Sequence, residues 1–237
     1  MIELDAFART FMRTAVMAVA VGMGGAVALA ASAEQVHAPL RPNLEAGRQH
    51  GMQGASLLAK GHLSEAKIEL VRAILLNPAD HVAHINLGII QYRESEWGKS
   101  IFHFSQALVS RPKTNVALMM RGMAFVRLAE YDEAIEDFSR AIANDHGLAT
   151  AFAGRALALQ KKGDASRAIA DANAAMSLGL VDPEIYRTRG LALEALGHRE
   201  RGGEDLQMAV LLEKVRHGAS ATPAATTEVV SAAESQR

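Results

Sequence analysis

The chain has 237 residues, with 25 lysines and arginines against 26 aspartates and glutamates, a formal net charge of −1 and no cysteine. So balanced a charge gives no general attraction to nucleic acid or to an anionic membrane, and nucleic acid is not an expected partner. The missing thiol excludes disulfides and lipid attachment through an N-terminal cysteine.

Taken from the N-terminus, Thr14 to Ala33 carries no charge, follows Arg9 and Arg13, and closes with Ala31-Ser32-Ala33. That pattern is an export signal with a small-residue cleavage site before Glu34. The same stretch is long enough to cross a bilayer as a retained anchor, its start held in the cytoplasm by the two arginines. Gly22, Gly24 and Gly25 make it the poorer anchor. Residues 1–33 are therefore expected to be a signal peptide or an N-terminal membrane anchor. Both readings export the repeats: in a bacterium, to the periplasm or to the periplasmic side of the inner membrane. Residues 34–46, with Pro39 and Pro42, are expected to form an extended linker.

Beyond the linker, Gly54, Gly88, Gly122, Ala156 and Gly190 recur every 34 residues. Two further series keep step with them: Ala66, Ser100, Ala134, Ala168, Gly202, and Ala73, Ala107, Ala141, Ala175, Ala209. Three registers holding through five periods without an insertion define a repeat architecture. In the third unit, Ala117, Leu118, Gly122 and Phe125 form the stripe of a first helix, and Ala134, Ile135, Phe138, Ala141 and Ile142 that of a second. Gly61, Gly163 and Gly197 mark the turn between the two helices in units one, four and five, and Pro78 and Pro112 break the chain between units. The expected fold is all-α, a solenoid of about five antiparallel helix pairs starting at residues 47, 81, 115, 149 and 183 and ending at 217. Stacking is required because no such pair buries its apolar face alone.

Comparing the units exposes a charge pattern. The residue before the small position of the first helix is Gln53, Leu87, Arg121, Arg155 and Arg189, and sixteen residues later stand Glu69, His103, Asp137, Asp171 and Asp205. Arginine and aspartate appear together or not at all. Structural pairs are therefore expected between Arg121 and Asp137, Arg155 and Asp171, and Arg189 and Asp205, where a guanidinium meets a carboxylate through two parallel bonds.

Leu87-Gly88, Phe104, Ala107 and Pro112 in unit two, with Gly122, Phe125, Tyr131, Ala134, Phe138 and Ala141 in unit three, resemble the tetratricopeptide repeat (TPR) family. The resemblance covers about Gly47 to Val215, five units. Departures are His146, Leu180 and Lys214 in place of the terminal proline, and Gly202-Gly203 at the start of the last helix, as suits an atypical terminal repeat. The resemblance implies a right-handed superhelix whose first helices line a concave side. It also implies which positions of each unit point into that side. Carried onto this chain, they form a partner-binding groove of Val82, Ile85, Ile89, Tyr92, Val116, Met119, Met123, Val126 and Leu157 over units two to four. Beside it runs a basic rail of Arg93, Arg127 and Lys161. The expected partner is a protein or peptide offering an apolar or amphipathic segment. The alternative is self-occlusion, the groove being filled by the linker, the tail or a second copy in a homo-oligomer. The family's carboxylate clamp is not expected, because beside Asn86 its other positions hold Gly51, Ala55, Val116 and Met120.

No motif for catalysis accompanies the repeats. His50, His81 and His84 bring no cysteine or convergent carboxylates with them, and packing or surface roles are expected for the histidines. Nothing has the form of a phosphate loop, a nucleophile elbow or a zinc-peptidase helix. The chain is thus expected to be an adaptor or scaffold of the cell envelope without cofactor, metal or catalytic residues, a metal-dependent enzyme being the remote alternative. Residues 218–237, rich in Ala, Thr, Ser and Val, are expected to be a disordered tail.

Overall fold

The structure, a computed structural model, describes residues 43–220, with side chains described to Arg216. The segment expected as a signal or anchor, most of the linker, and the tail beyond Ser220 lie outside the described residues. Among those described there are ten α-helices and no strand. They alternate as five antiparallel pairs: α1 (Leu44–Ala59) with α2 (Leu63–Leu76), α3 (His81–Arg93) with α4 (Trp97–Ser110), α5 (Asn115–Arg127) with α6 (Tyr131–Asn144), α7 (Ala149–Lys162) with α8 (Ala165–Ser177), and α9 (Pro183–Ala195) with α10 (Arg199–Ser220).

Local chemistry sets the helix ends. The side chain of Asn43 accepts a hydrogen bond from the Ala46 amide, so α1 already includes residues 44–46, which the sequence pattern places in the linker. Asp80 and Asp182 cap α3 and α9 in the same way, and Pro183 stands at the first turn of α9, where its missing N–H costs nothing. At the other end, α10 continues to Ser220, past the expected end of the repeats at 217.

All five first helices stop by one mechanism. Gly61, Ser95, Ala129, Gly163 and Gly197 each adopt positive φ, between 61° and 94°. In each case the next amide bonds back to a carbonyl five residues earlier: His62 to Leu57, Glu96 to Gln91, Glu130 to Phe125, Asp164 to Leu159 and His198 to Leu193. This left-handed cap reverses the chain into the second helix. Sequence alone located it through glycine in units one, four and five, while Ser95 and Ala129 hold the same conformation against their own Cβ atoms.

Packing within each pair depends on residues sixteen apart. A Cβ on Gly54 would lie 2.7 Å from Leu70, one on Gly88 2.8 Å from the Phe104 ring, and one on Gly122 3.0 Å from Phe138. Unit four carries Ala156 at this place and the small Ala172 opposite, both fully buried. The side chains of a pair thus share one volume, filled once from either side. Phe138 is also covered by the next unit, since a Cβ on Gly154 would overlap its ring.

First helices pack not only on their partners but on each other: α1 touches α3, α3 touches α5, α5 touches α7 and α7 touches α9. Among the described residues no second helix touches another second helix. Close first helices and splayed second helices curve the stack, with the first helices on its inner side.

Two substitutions should act in opposite directions in urea unfolding. Ala129→Gly should stabilise by about 0.5–1 kcal/mol by relieving the left-handed strain. Gly154→Ala should destabilise by about 1–3 kcal/mol through overlap with Phe138, although alanine is the better helix former.

Candidate functional site

The inner surface inherits its composition from the first helices, and it is less open than the sequence pattern suggests. Val82 and Val116 are 47% exposed at its edge. Ile85 and Met119, however, pack against the core formed by Ala107, Leu108, Ala117 and Leu118. Met123 and Val126 pack against Ala134, Phe138 and Ala158. Ile89, Tyr92 and Leu157 are half-buried. Much of the expected groove therefore serves as mortar between units, because first helices that touch must bury side chains against one another.

An open concavity lies further along, on α5, α7 and α9. It is a recess of about 230 Å³ lined by Met123 and Leu157 together with Thr150, Ala153, Ile185 and Thr188, with Leu180, Asp182 and Glu184 on the side of the α8–α9 turn. Its first origin is a change of side-chain size. The repeat position that holds Ile85 in unit two and Met119 in unit three holds Ala153 in unit four, leaving unfilled space beside α9. The second contribution comes from the turn. Gly179 takes positive φ and the Leu180 amide bonds to the Ala175 carbonyl, a helix ending that brings Leu180 against Ala156, Ala175 and Ile185. Of the expected groove residues, only Met123 and Leu157 line this recess. Ala153 was visible in the sequence as a loss of bulk, but the position of Leu180 depended on the turn.

The three basic side chains do not form a uniform row. All three are exposed, but Arg127 is also tied back to unit two. Its Nε donates to the Tyr92 hydroxyl at 3.3 Å, and its guanidinium lies 5.7 Å from the centroid of the Trp97 ring, which meets Tyr92 edge-on. The bond to Tyr92 raises the Arg127 pKa above its ordinary value. Arg127 therefore works as a clasp between units two and three.

Large apolar side chains also stand exposed on the second helices of the first two units: Ile68, Val71 and Leu75 on α2, Phe102 and Val109 on α4. Later units hold Glu136, Ala170 and Glu204 at the position of Ile68 and Phe102, a contrast that comparison of the units makes legible.

The arginines of units three to five are the most highly connected side chains of the array. In each, Nε and Nη2 donate to both carboxylate oxygens of the aspartate sixteen residues on, at 2.7–2.9 Å: Arg121 to Asp137, Arg155 to Asp171 and Arg189 to Asp205. Nη1 turns the other way and reaches the second helix of the preceding unit, donating to Ser105, Ser139 and Asn173 respectively. Each guanidinium also faces an aromatic ring of its own helix, Phe125, Phe152 or Tyr186. One arginine thus ties three helices and two units, and the acceptors at Ser105, Ser139 and Asn173 were not part of the expectation. The bond to Asp205 raises the Arg189 pKa. Asp137 is almost wholly buried and also meets Arg140 at 3.7 Å.

Among the described residues no group of three or more His, Asp or Glu is placed to hold a metal ion, and no helix is long and apolar enough to cross a membrane.

The tetratricopeptide-repeat family model matches residues 99–149 and 119–179, within units two to four. The structure resembles that of MamA, at 23% identity over 70% of this chain and 96% of that one, with a TM-score of 0.61. It also resembles MamA residues 41 to the end from Desulfovibrio magneticus RS-1, at 16% identity over 72% and 96%, with a TM-score of 0.64. YrrB, described as a TPR protein with an unusual peptide-binding site, aligns at 16% identity over 72% and 90%, with a TM-score of 0.61. No curated protein matches by sequence. The family model thus covers residues 99–179, and the fold shared with these structures is an all-α TPR-like solenoid.

A double-mutant cycle on Arg155 and Asp171 should give a coupling of about 2–3 kcal/mol, since either single alanine leaves a largely buried charge unpaired. Ser139→Ala should cost less, about 1 kcal/mol. The measurement is urea unfolding of the four cycle members and the serine variant.

Proposed function

We propose that this chain is a non-catalytic protein-interaction scaffold whose inner face binds a peptide or amphipathic helix through apolar side chains. The observation that carries this reading is the recess between α5, α7 and α9. It combines apolar walls at Met123, Leu157, Leu180 and Ile185 with the capacity to receive one large side chain. Val82, Val116 and the half-buried Ile89 extend an apolar track away from it along the inner helices. A ligand helix would place one anchor in the recess and lay its neighbours, three or four residues away, along that track. The peptide-binding site described for YrrB supports the same class of ligand.

Peptides selected from a random display library against the purified chain should be enriched in Leu, Ile, Phe or Met at intervals of three and four residues. Leu157→Glu should weaken the selected peptides at least about tenfold, while Lys60→Glu, on the first turn between helices, should leave them unchanged. Selected peptides without apolar anchors, or binding indifferent to Leu157→Glu, would contradict this site.

Thr14 to Ala33 supports an envelope location, the chain being exported and either released into the periplasm or held at the inner membrane. Intact-mass analysis of the protein isolated from fractionated cells provides the check. Cleavage should give a mature chain starting at Glu34 in the soluble envelope fraction, and retention should give the uncleaved chain in membranes. Uncleaved chain in the cytoplasm would exclude export.

A further inference from the structure

The second-helix position that carries aspartate in units three to five is occupied differently in the first two units. In unit one, Glu69 meets His50 Nδ1 at 2.5 Å and Arg72 at 2.6 Å. In unit two, His103 meets His84, with the two Nδ1 atoms 2.9 Å apart and the ring centroids separated by 5.1 Å. His84 is 3% exposed and His103 is half-buried.

The hydrogen-bond chain defines the protons. His84 Nε2 lies 3.2 Å from the Pro78 carbonyl, which can only accept, so Nε2 carries the proton and Nδ1 is left with a lone pair. His103 must then donate from its own Nδ1 to that lone pair. The first added proton has a place, His103 Nε2, that keeps the bond. A second must occupy His84 Nδ1, the acceptor itself, and two N–H groups then oppose each other at hydrogen-bond distance.

We propose that the His84–His103 pair makes unit two a proton-sensitive joint. Acid parts α3 from α4 there, while units three to five, joined through Arg–Asp pairs, stay closed. The inference rests on this contact and is independent of the peptide-binding reading. Asp80 on the turn into α3 acts on His84, and the helices packed against α3 and α4 carry the His50–Glu69–Arg72 cluster on α1 and α2 and Arg121 on α5, already held by Asp137 and Ser105. Asp80 favours a proton on His84 and the Pro78 carbonyl does likewise, but burial outweighs both and lowers its pKa. Burial first, and then the repulsion between the two rings when both are charged, lower the His103 pKa to about 4. Because both folded values lie below the ordinary 6.5, the neutral pair contributes fully above that pH. Its contribution is lost as the pH falls from 6.5 through about 4.

The internal repeat supplies the control. His84→Leu, Leu87→Arg and His103→Asp together give unit two the residues that unit three carries as Leu118, Arg121 and Asp137. In the full chain, Tm of the unaltered protein should fall at least about twice as far between about pH 7.5 and pH 5 as Tm of this triple variant. Equal falls would overturn the proposal. Long-range 1H–15N spectra of the unaltered protein stand beside this test and do not depend on the variant folding. They should show His84 protonated on Nε2 and His103 on Nδ1 near pH 7, with both titrating below the ordinary value. Two histidines titrating at about 6.5 would equally overturn it.

Discussion

Everything in this solenoid depends on how closely the two helices of a unit approach, and that distance is set by one pair of residues sixteen apart. Where the second helix presents Leu70, Phe104 or Phe138, the first must present glycine, and where it presents Ala172 the first can carry Ala156. The fit matters because a pair of helices of about fourteen residues each has little surface to bury and no stability alone. An error of one methyl group at the contact would spread to the next unit, since Phe138 is clamped by Gly122 on one side and Gly154 on the other. Curvature follows from the same approach. First helices reach one another along the inner side while second helices splay, so the inner surface is itself a seam of the fold.

A second layer of the design is polar. One position of the second helix, facing back towards the first, holds Glu69, His103, Asp137, Asp171 and Asp205. In the last three units an arginine satisfies the carboxylate and then reaches the preceding unit, so that ion pairing and stacking are parts of one interaction. The first two units use histidine instead. Guanidinium–carboxylate pairs keep their charge over a wide pH range, whereas imidazole contacts respond to protonation at mildly acidic pH. The array is thus regular in backbone and graded in the chemistry that holds it together.

Much of this was legible in the chain because repetition supplies internal comparison. The 34-residue interval gave helix pairs, and the joint appearance of arginine and aspartate gave partners whose atoms lie within 3 Å of each other. Less visible were the Ser95 and Ala129 caps, because sequence reading associates left-handed turns with glycine while five equivalent turns impose the conformation by their hydrogen bonds. Ser105, Ser139 and Asn173 were also missed, since a neutral acceptor has no signature until a donor is placed against it.

The sequence by itself determined the period, the number of units and the complementarity within each, because these are short-range relations between residues at fixed spacing. Only the tertiary structure decided which apolar residues remain available. Ile85, Met119 and Val126 share the inner-face pattern with Leu157, yet contact between neighbouring first helices consumes the former. Ala153 and the turn at Gly179 leave space beside the latter. The physical reason is that a side chain's direction follows from its own helix, whereas its exposure depends on the volume of side chains one whole unit away.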